Sequence, residues 1–218
     1  MESNRDRQIF NVLAKQFGKD AVPSPGFLRV EQTLKNSTGS YRFDIKDTSG
    51  FIVTENKLDR NDLFVITDLG MYLLREDSTK VGVSVLQSYP NELEFAAVAG
   101  FTPAHLEAIY NGKFSLKIGS RVNIESLSLQ NFRRIPQTQQ SATVKTQYSV
   151  KEATYALPSL LFLKGSMDVE AKIEFPTFDG IQIQAVTAGI NNKIVFHPYG
   201  FLIKNGASIM EEKAKAAK

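Results

Sequence analysis

Tyr41-Arg42-Phe43-Asp44-Ile45-Lys46 alternates apolar and charged side chains without a break, the two-residue period of a strand with one face in a core and the other in water. The same kind of segment begins upstream at Phe27-Leu28-Arg29-Val30-Glu31-Gln32-Thr33-Leu34, and Thr38-Gly39 supplies the turn between the two. Downstream, Leu63 to Thr67 and Met71 to Leu74 form two apolar runs around Asp68-Leu69-Gly70. Val81, Val83 and Val85 alternate until Tyr89-Pro90-Asn91 stops them. Phe114, Leu116 and Ile118 resume the period, and Gly119-Ser120 turns the chain into Val122, Ile124 and Leu127. Short strands separated by turn residues, with no alternation of strand and long helix, predict an all-β sandwich or barrel.

Two segments break the rule. Ser3 or Asn4 can cap a first helix, Asp6 in its first turn suits the dipole, and Gly18 ends it. Phe10, Leu13, Ala14 and Phe17 then share one apolar face. Val22-Pro23-Ser24-Pro25-Gly26 cannot continue a helix, so residues 1–25 read as a helical arm and a Pro-rich tether. The alternative is a helix that packs on its own domain. A second helix is short: Thr102 caps it, Pro103 opens it, Leu106, Ile109 and Tyr110 face inward, and Asn111-Gly112 ends it.

The polar run Pro136-Gln137-Thr138-Gln139-Gln140-Ser141 predicts an exposed connection between a first β domain, 26–136, and a second, smaller one, 137–206. Strands are expected in the second at Leu160 to Leu163, Val169-Ala171-Ile173-Phe175, Ile181-Ile183-Ala185, Ile194 to Phe196 and Phe201-Leu202-Ile203. Asp179-Gly180 and Gly189-Ile190-Asn191-Asn192 are the expected turns. Residues 207–218 are expected to be a flexible or helical tail rich in Ala, Lys and Glu.

Composition narrows the chemistry. The 218 residues carry 26 Lys and Arg against 23 Asp and Glu, a net +3 that is mild for a protein whose main work is gripping phosphate backbone. There is no cysteine and there are two histidines, His105 and His197, so zinc or copper would depend mostly on carboxylates. No apolar signal core follows Met1, and the longest apolar run, Leu157 to Leu163, contains Pro158 and falls short of the ~20 residues of a membrane helix. Nucleophile elbows, phosphate loops, dinucleotide fingerprints and zinc-protease helices are missing from the sequence.

Weaker candidates each have a plainer explanation. Asp59-Arg60-Asn61-Asp62 opens like a calcium loop, but Phe64 and Gly70 stand where such a loop needs Gly and Glu. His105 near Glu107, and His197 before Pro198-Tyr199, have no nucleophile at local spacing. The carboxylate pairs Glu92 with Glu94 and Asp44 with Asp47 suit solvated faces better than a glycosidase cleft. Asn36-Ser37-Thr38 is a formal glycosylation sequon, and Arg133-Arg134 beside Phe132 is a weak nucleic-acid signal. The expectation is therefore no catalytic residue, no cofactor, no metal and no enzyme activity.

Several strings together carry a resemblance: Asn61-Asp62-Leu63-Phe64-Val65-Ile66-Thr67, Leu86-Gln87-Ser88-Tyr89-Pro90-Asn91, Leu106-Glu107-Ala108-Ile109-Tyr110-Asn111-Gly112-Lys113 and Gly200-Phe201-Leu202-Ile203-Lys204-Asn205-Gly206. In them the chain resembles virion structural proteins of tailless icosahedral bacteriophages, most closely a small major capsid protein of the double jelly-roll lineage. The resemblance implies jelly-roll barrels in a double roll. Because the strands expected after Gln140 number fewer than eight, the chain would be a very compact double roll or a single barrel with an added sheet. The resemblance also implies homotrimeric capsomers that contact one another, with minor capsid or penton proteins as further partners. It implies a protein made in the host cytoplasm and located in the virion. The arm face Phe10, Leu13 and Phe17 would then anchor a neighbour or an internal membrane, and Arg5, Arg7, Lys15 and Lys19 would meet lipid headgroups or packaged genome. Removing residues 1–22 would leave a folded body that assembles poorly. Two other readings are a penton or spike base, and a carbohydrate- or ligand-binding β-sandwich presenting Tyr and Phe platforms.

Overall fold

The computed structural model describes residues 4–18, 21–36, 38–45, 58–80, 86–90, 103–134, 154–176, 182–185 and 187–216. The expectations for Val81 to Val85, Thr102, the 136–141 connection, Asp179-Gly180, Lys19, Asp47 and Glu92 with Glu94 lie outside them. Helix α1 (Asn4–Phe17) is followed by strands β1 (Ser24–Phe27), β2 (Val30–Thr33), β3 (Ser40–Asp44), β4 (Leu63–Asp77) and β5 (Leu86–Gln87). Helix α2 (Pro103–Tyr110) leads into β6 (Lys113–Ile118) and β7 (Arg121–Ser128), which ends in one 3-10 turn, Leu129–Phe132. Then come β8 (Thr154–Lys164), β9 (Val169–Glu174), β10 (Ile190–Ile203) and helix α3 (Gly206–Ala216).

The strands form two antiparallel sheets. In the larger, β10 and β4 pair along fourteen positions at the centre, β1 and β2 lie end to end on the far edge of β10, and β8 and β5 pair with β4. The smaller sheet runs β3-β9-β6-β7. The sheets pack face to face: Phe196 of β10 meets Phe43 of β3 at 5.8 Å and Phe114 of β6 at 5.2 Å between ring centroids. Phe64, Ile66, Leu69, Met71 and Leu73 of β4 join that core with Leu116, Ala171 and Ile173 from the smaller sheet.

The larger sheet also buries its other face. Leu63, Val65, Phe201 and Ile203 pack under α1, and Tyr72, Leu74 and Val195 form a further buried cluster. That double burial corrects three expectations. Leu63 to Thr67 and Met71 to Leu74 are one strand, because a strand covered on both sides needs no alternation and Asp68-Leu69-Gly70 stays in the ladder. A register shift between Ile66 and Asp68 inserts Thr67 as a bulge, which moves the inward set from Phe64 and Ile66 to Leu69 and Met71. In the same way Asn191-Asn192 belongs to β10 rather than a turn, and Ile194 to Phe196 continues through His197 and Pro198 into Phe201 to Ile203. The segment Phe27 to Leu34 divides at Leu28-Arg29 into β1 and β2, although Leu28 N–H still donates to Pro198 O at 3.0 Å.

Described strands from the two sides of the boundary expected near residue 136 share both sheets. β10 is central in the larger sheet and β9 in the smaller, so strands from 137–206 complete ladders begun by strands from 26–136. Without β9, β3 would have no partner strand in its sheet among the described residues. The tail is helical: α3 buries Gly206 and Ala207, and Lys213 donates to Gln16 O of α1.

Candidate functional site

Helix α1 forms where expected, but its apolar face is occupied. Leu13 is 0% and Phe17 1% exposed against Leu63, Val65, Phe201 and Ile203, and Phe10 lies 6.2 Å from Phe201 between ring centroids. Arg5 is held by the body as well. Where β8 bulges around Pro158, the ladder frees carbonyls; Arg5 donates to Leu157 O at 2.9 Å, to Thr67 O at 3.0 Å and to Asp68 Oδ1 at 2.9 Å. Phe10, Leu13, Phe17 and Arg5 thus make an intramolecular lid on the larger sheet, the packing that the alternative reading anticipated. Arg7 and Lys15 point outward, on a helix surface that also carries Val12 at 57% exposure.

The remaining candidates resolve into structural contacts. Asp62, 4% exposed, accepts from Lys204 Nζ at 2.7 Å and from the Asn205 backbone N–H at 2.9 Å, so an ammonium fills the place a calcium ion would take. Arg133 pairs with Glu107 and lies 5.0 Å over the Tyr89 ring, which commits its guanidinium to the body. His105 accepts the Gln182 backbone N–H at its Nδ1, 3.0 Å away. Among the described residues, no group of three or more His, Asp or Glu side chains is placed to hold a metal ion. No helix among them is long and apolar enough to cross a membrane.

Asn36, the sequon asparagine, is a clamp. Its Oδ1 accepts from Ile183 N and Gln184 N, each at 2.8 Å, and its Nδ2 donates to Gln182 Oε1 at 3.0 Å. Asn192 Nδ2 donates to Ile183 O at 3.0 Å. With His105, these side chains supply the backbone partners of 182–184 that a neighbouring strand would otherwise give. Residues 182–185 are therefore not a strand, although Ile183 is fully buried. A glycan on Nδ2 is incompatible with this arrangement. Asn36→Ala is expected to lower stability by about 2–4 kcal/mol, because it leaves two backbone donors without acceptors beside a buried isoleucine. Asn36→Asp, which keeps the acceptor, should lose about half as much or less by urea denaturation.

A ring cluster on the outer face of the larger sheet escaped local reading. His197, 5% exposed, stacks on Phe27 (4.6 Å between centroids, 20° between planes), lies 4.5 Å from Tyr199 and meets Tyr72 edge-on at 5.8 Å. The Tyr72 and Tyr199 hydroxyls are 3.3 Å apart, and burial pushes the Tyr72 phenol far above its usual pKa. Burial, with Arg29 adding repulsion, pushes the His197 imidazole down to about 4. Only the His197-Pro198-Tyr199 string hinted at this; Phe27 and Tyr72 reach the site through strand register.

The outer face of the smaller sheet is a charge lattice. Arg42 pairs with Asp44, and Lys172 and Lys113 both reach Glu174, at 2.6 and 3.1 Å. Lys172, then Lys113, holds the Glu174 carboxyl below its usual value. Such a face is built for water or for a polar, opposite-patterned surface, not for an apolar ligand. No family model, no curated protein and no solved structure matches this chain.

Proposed function

We propose that this chain is a virion structural protein, a self-assembling subunit of an icosahedral shell, with a body that is one jelly roll. The observation that supports it is strand order. With β1 and β2 counted as one edge strand and the two-residue β5 set aside, eight strands remain among the described residues. The first pairs with the last (β1/β2 with β10), the second with the seventh (β3 with β9), the third with the sixth (β4 with β8) and the fourth with the fifth (β6 with β7). The two further pairings, β10 with β4 and β9 with β6, close the sheets. An antiparallel ribbon rolled into two facing sheets has this order, the arrangement that capsid, lectin and cupin domains use.

One roll uses all eight of these strands among the described residues, so we read the body as a single roll rather than the double one implied by the sequence resemblance. A two-lobed subunit makes a pseudo-sixfold capsomer from three copies, whereas a one-lobed subunit contributes one lobe per copy to a ring. The single roll thus favours the second reading, a penton or spike-base subunit closing a five-fold vertex, over a trimeric major capsid protein. Outward Arg7 and Lys15 on α1, with Lys215 on α3, suit a phosphate-bearing partner, packaged genome or an inner membrane, on the helical side. The ligand-binding reading has less support, since Tyr72 and His197 are 3% and 5% exposed and offer no open platform.

Light scattering behind a sizing column tests the proposal. A species near five times 24.3 kDa, or closed particles, is the expected result. A mass near three times that of one chain returns the protein to the trimeric capsomer, and a monomer at every concentration, without particles, overturns self-assembly as its function.

A further inference from the structure

We propose that His197 is an acid-released latch that holds edge strand β1 against β10. β1 is four residues long and contains Pro25, so it brings few ladder hydrogen bonds of its own. What fixes it is the Phe27 ring stacked on His197, with Tyr199 also 6.5 Å from Phe27. The imidazole sits opposite Gly70 in the β10–β4 register, and a Cβ at Gly70 would come within 2.7 Å of His197 O and of the Tyr72 ring. The His197 carbonyl and the Tyr72 and Tyr199 rings therefore leave no room for a side chain at Gly70. His197 Nδ1 is buried and has no hydrogen-bond partner among the described residues.

A proton on Nδ1 finds no side-chain acceptor among the described residues, and only the backbone of His197 itself favours the charged ring. Tyr72 on β4 and Tyr199 on β10 are its aromatic neighbours, and their hydroxyls bond to each other. Arg29, between β1 and β2, is a like charge. The carboxylates on adjoining strands are engaged elsewhere: Glu31 of β2 by Arg29 and Lys193, and Asp68 of β4 by Arg5. An imidazolium is relieved only by leaving the stack, and Phe27 leaves with it. The inference is independent of any assembly role.

The sign follows from linkage. The closed form resists protonation down to about pH 4, whereas an opened histidine takes its proton near its ordinary value of about 6.5. Opening is thus unaffected above pH 7 and favoured as pH falls, by about 20-fold between pH 7 and pH 5. The reporter is the Leu28 amide, which donates to Pro198 O. Hydrogen exchange of the full chain, corrected for intrinsic rates, should show Leu28 losing about 20-fold in protection while the Leu73 and Val195 amides of the central ladder keep theirs. His197→Phe, which keeps a ring and removes the proton site, should abolish the pH dependence. Unchanged Leu28 protection, an equal loss in His197→Phe, or central amides falling in step would each overturn the latch. Should that variant fail to fold, NMR titration of the wild-type imidazole decides: protonation near 6.5 with Leu28 protection unchanged refutes it, and an imidazole that stays neutral down to pH 5 in the closed form while Leu28 protection falls upholds it.

Discussion

Gly200→Ala is expected to cost about 3 kcal/mol or more, a large share of the 5–15 kcal/mol typical of a folded protein. Gly200 follows the register shift at Tyr199 in the β10–β4 ladder. A Cβ there would stand 1.8 Å from Val65 O and 2.8 Å from Val65 C, both backbone atoms of the strand beside it. Neither can move without carrying β4, whose side chains are buried on both faces at that point. Urea denaturation measures the loss directly, with Ser120→Ala in an exposed turn as the neutral control, expected within ~0.5 kcal/mol. A Gly200→Ala midpoint close to that control would mean that β10 and β4 do not meet in this register.

The contrast between the two sheets explains what local reading found. β3, β6 and β9 each have one face in water, so Tyr41 and Phe43, or Phe114 and Leu116, stand out against charged neighbours. β4 and β10 have no wet face along most of their length, and their Asp68-Leu69-Gly70 and Pro198-Tyr199-Gly200 stretches imitate turns. Pairing order is a further step removed. That β10 returns to lie between β1/β2 and β4 depends on contacts between distant parts of the chain, which no local period records. The Asn36 clamp and the His197 cluster share that limitation: both join residues far apart in sequence through side chains that look ordinary where they stand. Residue types in the ring cluster were visible, but their convergence was a product of register.

The two roles for α1 predict opposite results for one variant. As an arm for a neighbouring subunit, the helix would present Leu13 and Phe17 to that neighbour, and truncating them would leave the monomer's stability nearly unchanged while weakening assembly. Packed as it is on Leu63, Val65, Phe201 and Ile203, it completes the burial of the larger sheet. Leu13→Ala and Phe17→Ala then each open a cavity in a fully covered cluster, at about 2–5 and 3–5 kcal/mol respectively. The two side chains share neighbours, so their combined cost should differ from the sum, yet it would still rival total stability. The double variant is accordingly expected to unfold at markedly lower denaturant and to bind a hydrophobic dye before it unfolds. Deleting residues 1–22 should act in the same direction, exposing Val65 and Phe201 and removing the Arg5 bonds at the β8 bulge, so the shortened chain aggregates instead of remaining a folded body. If either variant kept its urea midpoint and lost only assembly, the helix would be an arm after all, and the outer face of the larger sheet would need another cover. Arg7→Glu with Lys15→Glu separates the surfaces: both residues are exposed, so stability should hold within ~0.5 kcal/mol while any attraction to phosphate weakens.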